Sequence, residues 1–397
     1  MPDFVTVTRG PGVRSSLTCG LEAAKGLSAA WQIPLLAVHH MQAHALTPRL
    51  DHALSSDNTA TPSSGLKPEF PFLSLLVSGG HTLLLNSRGL LVHETLAESA
   101  DIAIGEALDK VGRLVLPSAI QSSLSDIAYA KHLSTYAFPT EASQRNWYEP
   151  PASRADECSS QSNEYGWEIT TPLTNSRALR FSFSGIASQI ERLFNLRSIE
   201  PSFTDGERLA FARAALTTAF NHLASRIVIA LDQLQGQYRK QLGSYVINAD
   251  ALSHESPVSV DAPRPLPKTL VVSGGVAANP FLRHVLRRFL DVRGFSDIEL
   301  IFPSIELCTD NAAMIGWIGM EMWEAGWRSD LSVNAIRRWS MHPTNGNTDG
   351  TRGEMAEELR AKAEAKAWDR TDDSDSGSGE GILGVKGWYS ARGSRDS

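Results

Sequence analysis

Cysteine is scarce in this chain: Cys19, Cys158 and Cys308 are the only three in 397 residues. They form no C-x-x-C clip and no paired framework. That excludes a disulfide-stapled scaffold and suits a reducing compartment. No apolar run approaches the roughly 20 residues that a spanning helix requires, so no membrane insertion is expected. An excess of positive charge is also lacking. Lys+Arg number 37 against Asp+Glu 44, a net charge of −7, so any nucleic acid must be held by a local basic patch. No signal peptide or Arg-rich presequence stands ahead of the first strand-like run, Phe4 to Thr8. The reading of that start is a chain that begins inside a strand–helix unit and has lost something upstream. What remains, 42% hydrophobic residues over 397, is enough for two domains with buried cores.

Strand-like and helix-like segments alternate. Residues 3–8 read as a strand, Arg9-Gly10-Pro11-Gly12 as a turn, Ser15 to Trp31 as a helix and Leu35 to Val38 as a second strand. After a polar stretch at 51–68, three antiparallel strands follow, the first bend being Ser78-Gly79-Gly80. A helix over 102–115 carries Gly105-Glu106-Ala107-Leu108-Asp109-Lys110. Residues 139–178 are rich in Ser, Asn, Glu and Pro and read as an insertion. A long amphipathic helix spans about 205–236, and strand 269–273 runs through Gly274-Gly275 into a helix at 281–292. Beyond 343 the composition is too polar to bury a core, and a disordered tail is expected. The pattern indicates a mixed α/β protein and fits an actin-like fold of two lobes.

The densest chemistry lies in Val38-His39-His40-Met41-Gln42-Ala43-His44. On a helix, His40 and His44 stand one turn apart on one face and can reach a single cation. A zinc peptidase helix reads H-E-x-x-H, whereas Met41 occupies the place of the general base. Asp310, between Thr309 and Asn311 at the start of a helix, is either a cap or a third ligand. Val77-Ser78-Gly79-Gly80 and Val272-Ser273-Gly274-Gly275 share one pattern. Each is either an ordinary bend or a place where backbone N–H groups approach a phosphate or nucleoside. Asn279 before Pro280 is a natural N-cap, and Asp109 is either a solvated helix residue or a ligand contact. Arg283, His284, Arg287, Arg288 and Arg293 read as a charged solvent face or a track for phosphates. His39 and His81 read as structural.

Seven motifs occur in order: TRGPGVRSSLTCGLEAAKGL, VHHMQAHAL, LLVSGGHT, GEALDKVGRL, RFSFSGI, VVSGGVAANPFLR and ELCTDNAAMIGW. Over residues 3–342 the chain resembles the TsaD family of tRNA N6-adenosine threonylcarbamoyltransferases, and HHMQAHAL resembles its bacterial and mitochondrial branch. The resemblance implies an actin/Hsp70-like (ASKHA) two-lobed α/β fold, its first lobe incomplete at the N-terminus. The implied division is 1–68 for the remnant of lobe I with the metal-ligand helix, 69–302 for lobe II with the insertion at 139–178, 303–342 for the return to lobe I and 343–397 for the tail. The implied reaction moves the threonylcarbamoyl group of threonylcarbamoyl-AMP to N6 of the adenosine 3′ of the anticodon (position 37), in tRNAs reading codons that begin with A.

By the same resemblance His40, His44 and Asp310 match the ligands of one divalent metal ion per subunit, iron or zinc. Leu76, Val77, Ser78, Gly79, Gly80, Asp109 and Asn279 match positions that bind the adenylate, Asp109 orienting the ribose. No catalytic residue is assigned beyond the metal site, because the mixed anhydride is already activated. Partners implied are tRNA, threonylcarbamoyl-AMP and a second copy in a homodimer, and the implied compartment is the mitochondrial matrix. Two departures from the family pattern stand out. A strand motif resembling GIETSCDDT has no counterpart, and Leu116-Pro117 leads into Ser118-Ala119-Ile120-Gln121 where the family continues LPYPGG. A catalytically impaired remnant with a scaffold or dimerisation role, and a metallopeptidase, are the alternative readings.

Overall fold

The computed structural model describes residues 1–55, 65–124, 128–159, 163–251, 265–341 and 388–390. In chain order the elements are β1 (Val5–Gly10), α1 (Arg14–Trp31), β2 (Leu35–His39), α2 (His40–Ser55), β3 (Phe72–Val77), β4 (Thr82–Ser87), β5 (His93–Glu98), α3 (Ile104–Val115), α4 (Ser118–Gln121), α5 (Tyr129–Ala137), α6 (Glu141–Trp147) and α7 (Arg154–Cys158). They continue with α8 (Ser184–Arg197), α9 (Asp205–Ala251), β6 (Thr269–Ser273), a 3-10 turn (Gly275–Ala278), α10 (Pro280–Val292), β7 (Glu299–Ile301), a second 3-10 turn (Ile305–Leu307), α11 (Ala312–Glu324), β8 (Trp327–Ser329) and β9 (Trp388–Ser390). The fold is mixed α/β with two sheets, one ordered β1-β2-β8-β9 and the other β5-β4-β3-β6-β7.

The chain forms two compact units. The first comprises Met1–Ser74, Leu85–Thr95 and Phe302–Ser397, and the second Leu75–Leu84 and Leu96–Ile301. In the first unit β2 is central, pairing parallel with β1 and antiparallel with β8. All five of its residues are buried, and Leu21 and Ala24 of α1 pack with Leu35 and Ala37. A continuous apolar run of this kind is what a strand covered on both faces needs. The expected tail at 343–397 lies outside the described residues except for Trp388–Ser390, which pair antiparallel with β8 instead of remaining unstructured.

In the second unit α9 is the spine. By length and composition Asp205–Leu242 could cross a membrane, yet 78% of its most apolar window is buried inside the protein. Phe211, Phe220, Leu223 and Ile227 have no exposure at all, so this is a core helix. The polar stretch 139–178 is knitted into the same unit. Trp167 is buried, stacks on Phe211 and donates from its indole N–H to Glu207. The fully buried Arg226 donates to the carbonyls of Ser176 and Ala178, so its charge is solvated by backbone oxygens in place of water.

Candidate functional site

Helix α2 opens directly from strand β2 without a spacer residue. His39, the last strand residue, makes that possible. Its Nδ1 accepts the N–H groups of Met41 and Gln42 at 3.1 and 3.4 Å, so the imidazole serves as an N-cap. The proton therefore sits on Nε2, which donates to the Trp339 carbonyl at 3.2 Å. Full burial pushes the His39 pKa down to about 3, keeping the ring neutral and able to cap. The structural reading of His39 acquires a specific role here: it aims the helix that carries His40 and His44.

One helical turn then separates the two rings, whose centroids lie 4.8 Å apart in an edge-on arrangement. Asp310 reaches the pair from a segment 266 residues away, its Oδ1 2.9 Å from His44 Nε2 and 3.5 Å from His40 Nε2. One ligand atom from each of His40, His44 and Asp310 falls within 4.8 Å of the others. The capping explanation for Asp310 fails, because the neighbouring Asn311 caps α11 by accepting the Met314 N–H at 2.9 Å. Asp310 is left exposed at the mouth of the site while the histidines are largely covered. Burial lowers the His40 pKa, the neighbouring His44 lowers it further, and Asp310 opposes both.

Two imidazole nitrogens and one carboxylate, on one open side, are a donor set that fits a divalent cation with positions left for other ligands. Met41 is buried in the core, so no polar side chain follows His40 into the site and peptidase chemistry has no base there. The helix is held in place by Arg49, whose guanidinium bonds the buried Glu321 of α11 at 2.9 Å and the Pro68 carbonyl at 2.7 Å. That clamp fixes α2 against the helix that Asp310 precedes.

The second group of candidate residues assembles entirely within the second unit. β3 and β6 are neighbours in the sheet, so the two Val-Ser-Gly-Gly bends leave adjacent strand ends. Gly274 has φ +98° and approaches so closely that a Cβ would overlap the Val77 carbonyl oxygen. Gly105, in the first turn of α3, is equally confined: a Cβ there would lie 2.7 Å from Ser78 O and 2.8 Å from Gly79 Cα. By contrast, a Cβ at Gly79, Gly80 or Gly275 would meet nothing within 4 Å. Three glycines thus present bare backbone, and two others lock the bends that carry it.

Leu76 and Val77 are buried strand residues, so any contact from them is by backbone. The Ser78 hydroxyl accepts from the N–H groups of Gly80 and His81, shaping the bend. Asp109 is half-buried on α3 and accepts the Ala130 N–H at 2.7 Å; burial raises its pKa, opposed by that bond and by Arg113. Asn279 caps α10 by accepting from Phe281 and Leu282, and its Oδ1 also receives the Ser134 hydroxyl at 3.0 Å. Helix α5 therefore links the two, through Ala130 to Asp109 and through Ser134 to Asn279.

Sequence reasoning missed α5 and Ser134, because a lone helical serine carries no signal. The arginines of α10 also depart from the expected solvent face. Arg283 donates to the Ala277 carbonyl, Arg287 to those of Ile298 and Phe295, and Arg293 pairs with Glu157. Three of the five residues in that cluster are engaged within the protein.

The first unit thus carries a candidate metal triad, and the second a pair of glycine-lined strand ends in an α/β sheet, the class of arrangement found in enzymes that handle nucleotides. Residues 2–317 match the sequence profile of the TsaD family, described as tRNA N6-adenosine threonylcarbamoyltransferase. The chain belongs to that family, whose members transfer a threonylcarbamoyl group to N6 of an adenosine in tRNA. It is 34% identical over 350 residues to the mitochondrial tRNA N6-adenosine threonylcarbamoyltransferase of Schizosaccharomyces pombe, covering 86% of this chain and 67% of that protein. Among solved structures, HypF of T. kodakarensis aligns with a TM-score of 0.39 at 13% identity, over 82% of this chain and 41% of that one.

Proposed function

We propose that this chain transfers the threonylcarbamoyl group from threonylcarbamoyl-AMP to N6 of the adenosine at position 37, 3′ of the anticodon, forming t6A. The observation that carries the reading is the convergence of His40, His44 and Asp310, one ligand atom of each within 4.8 Å. In chemical terms the adenine amine attacks the carbamoyl carbon, a C–N bond forms, the C–O bond to phosphate breaks and AMP departs with the electron pair. The amine proton leaves with the products. His40, His44 and Asp310 would hold one iron or zinc ion, which when bound supplies Lewis acidity toward the donor's oxygens.

The chain's own residues do the remaining work. Gly79, Gly80 and Gly275 offer backbone to the adenylate, while Asp109 and Asn279 flank it from α3 and the start of α10. Orientation of an already activated donor supplies much of the rate, so no protein nucleophile is required. The reading takes the two compact units as the two lobes of an actin-like (ASKHA) fold. The reading includes a mitochondrial location, supported by likeness to a relative described as mitochondrial, and a homodimer, as the family resemblance implies. The test measures t6A in a tRNA transcript after incubation with threonylcarbamoyl-AMP, together with bound metal. Wild type should hold one metal ion per chain, and His40→Ala and Asp310→Ala should lose it along with activity. Equal metal content in all three proteins would overturn the site.

A further inference from the structure

Some of the positive charge in the first unit is neutralised where it occurs. Lys25 pairs with Glu22, Arg49 with Glu321 and Arg88 with Glu94. Two joined segments carry arginines that are not so neutralised. Strand β1 ends in Arg9-Gly10, and the bend after it runs to Arg14; residues 334–338 lie against it. Arg9 Nε donates to the Asn334 carbonyl at 2.9 Å, the Ile336 N–H to the Arg9 carbonyl at 2.8 Å, and the Gly12 N–H to the Arg337 carbonyl at 3.2 Å. Gly10 permits this approach, since a Cβ there would overlap the Ile336 carbonyl. The joined segments carry Arg14, Arg337 and Arg338, all exposed. Among the described residues none of the three forms an ion pair.

Helix stability does not account for Arg14. Arg14 is the first residue of α1, whose N-terminus has neither a side-chain cap nor an acidic residue in its first turn. A cation there opposes the helix dipole. In a chain of net charge −7, three unneutralised guanidiniums on one hydrogen-bonded platform form a local anion-seeking surface. The platform is rigid. Arg9 beneath it is buried, with its guanidinium 5.6 Å from the centroid of the Trp339 ring. Trp339 in turn lies 4.5 Å, ring to ring, from His39, the residue that caps the metal-ligand helix.

We infer that Arg14, Arg337 and Arg338 hold the phosphate backbone of the tRNA substrate beside the metal-ligand helix. The inference rests on the transferase reading above and adds where in the first unit the tRNA is gripped. Guanidinium forks suit phosphate oxygens, and contacts of this kind position the nucleic acid without reading its sequence.

The test is binding of a fluorescent substrate tRNA transcript to the full chain from about 50 to about 300 mM salt. Replacing all three by Gln should weaken binding about 10- to 100-fold at the lowest salt. It should also flatten the slope of log affinity against log salt by about 2 to 3, near one per contact. The triple Arg→Lys variant should keep most of the slope, and equal melting temperatures for the Gln variant and wild type would exclude misfolding. A Gln variant whose slope and affinity equal those of wild type overturns the patch while leaving the transferase reading intact. Failure of the wild type itself to bind tRNA overturns both. Loss of self-association with tRNA binding preserved would assign the arginines to a protein interface and likewise overturn the inference.

Discussion

Two glycine-to-alanine substitutions, one in each of the paired bends, should behave in opposite ways. Gly274 sits at φ 98° and ψ 165°, a region that residues with a Cβ essentially do not visit. Forcing alanine into it costs about 1–3 kcal/mol. The added methyl would also overlap the Val77 carbonyl oxygen and lie 2.9 Å from its carbon, in backbone that cannot swing aside. Overpacking of that kind adds about 1–3 kcal/mol. Gly274→Ala should therefore destabilise the protein by about 2–6 kcal/mol, a large share of the roughly 5–15 kcal/mol that holds a domain folded. Gly79→Ala meets nothing within 4 Å, and Gly79 is not among the glycines at positive φ. Its stability should stay within about 1 kcal/mol of wild type, helped by a less flexible unfolded chain. The methyl would, however, stand on the bare backbone proposed to receive the adenylate. AMP affinity should fall at least about tenfold, equivalent to about 1.4 kcal/mol. Urea denaturation reads the first effect and calorimetric titration with AMP the second. A Gly274→Ala protein as stable as wild type would refute the steric argument. Wild-type AMP affinity in Gly79→Ala would refute the assignment of that bend to ligand binding.

Asn311 and Asp310 are adjacent and chemically alike, but only Asn311 caps a helix. Asn311→Ala should cost about 1 kcal/mol in stability with metal content unchanged, checked by thermal melting and elemental analysis. His222 supplies a pH dependence. Its Nε2 accepts the Ser182 N–H at 3.1 Å, and burial, then Arg226, hold its pKa down to about 3, with Asp101 opposing. The unfolded ring takes up a proton near pH 6.5 while the folded one does not, so its contribution is complete above about 6.5 and is lost as pH falls toward 3. Denaturation midpoints of wild type and His222→Gln between pH 7 and 4.5 should therefore converge as acid is added, and parallel curves would contradict this.

How far the site could be read in advance depended on what kind of signal each residue emits. A pair of histidines four apart announces itself through helical period alone, and His40 and His44 do meet at one point. Asp310 needed a long-range closure that no local pattern encodes. The observation that Asn311 takes the capping bond removes capping as the account of Asp310. Asp109 and Asn279 both make structural hydrogen bonds, and the element that joins them, α5, lies in a stretch without a motif. The α10 arginines were misjudged for a physical reason. Periodicity tells which face a Cα lies on, whereas a guanidinium at the end of a long stem can turn back to carbonyls such as Ala277 and Ile298.

The two Val-Ser-Gly-Gly repeats show the same limit from the other side. The letters are identical, yet Gly274 is jammed against the Val77 carbonyl while Gly79, Gly80 and Gly275 face open space. The roles are coupled, because the bends end neighbouring strands. The close approach allowed at Gly274, with Gly105 packed on Ser78 and Gly79, holds the two bends against each other, and the remaining glycines are thereby left bare. A side chain at a jammed position would disturb the exposed ones without touching a ligand, so the repeat acts as one device whose division of labour exists only in three dimensions.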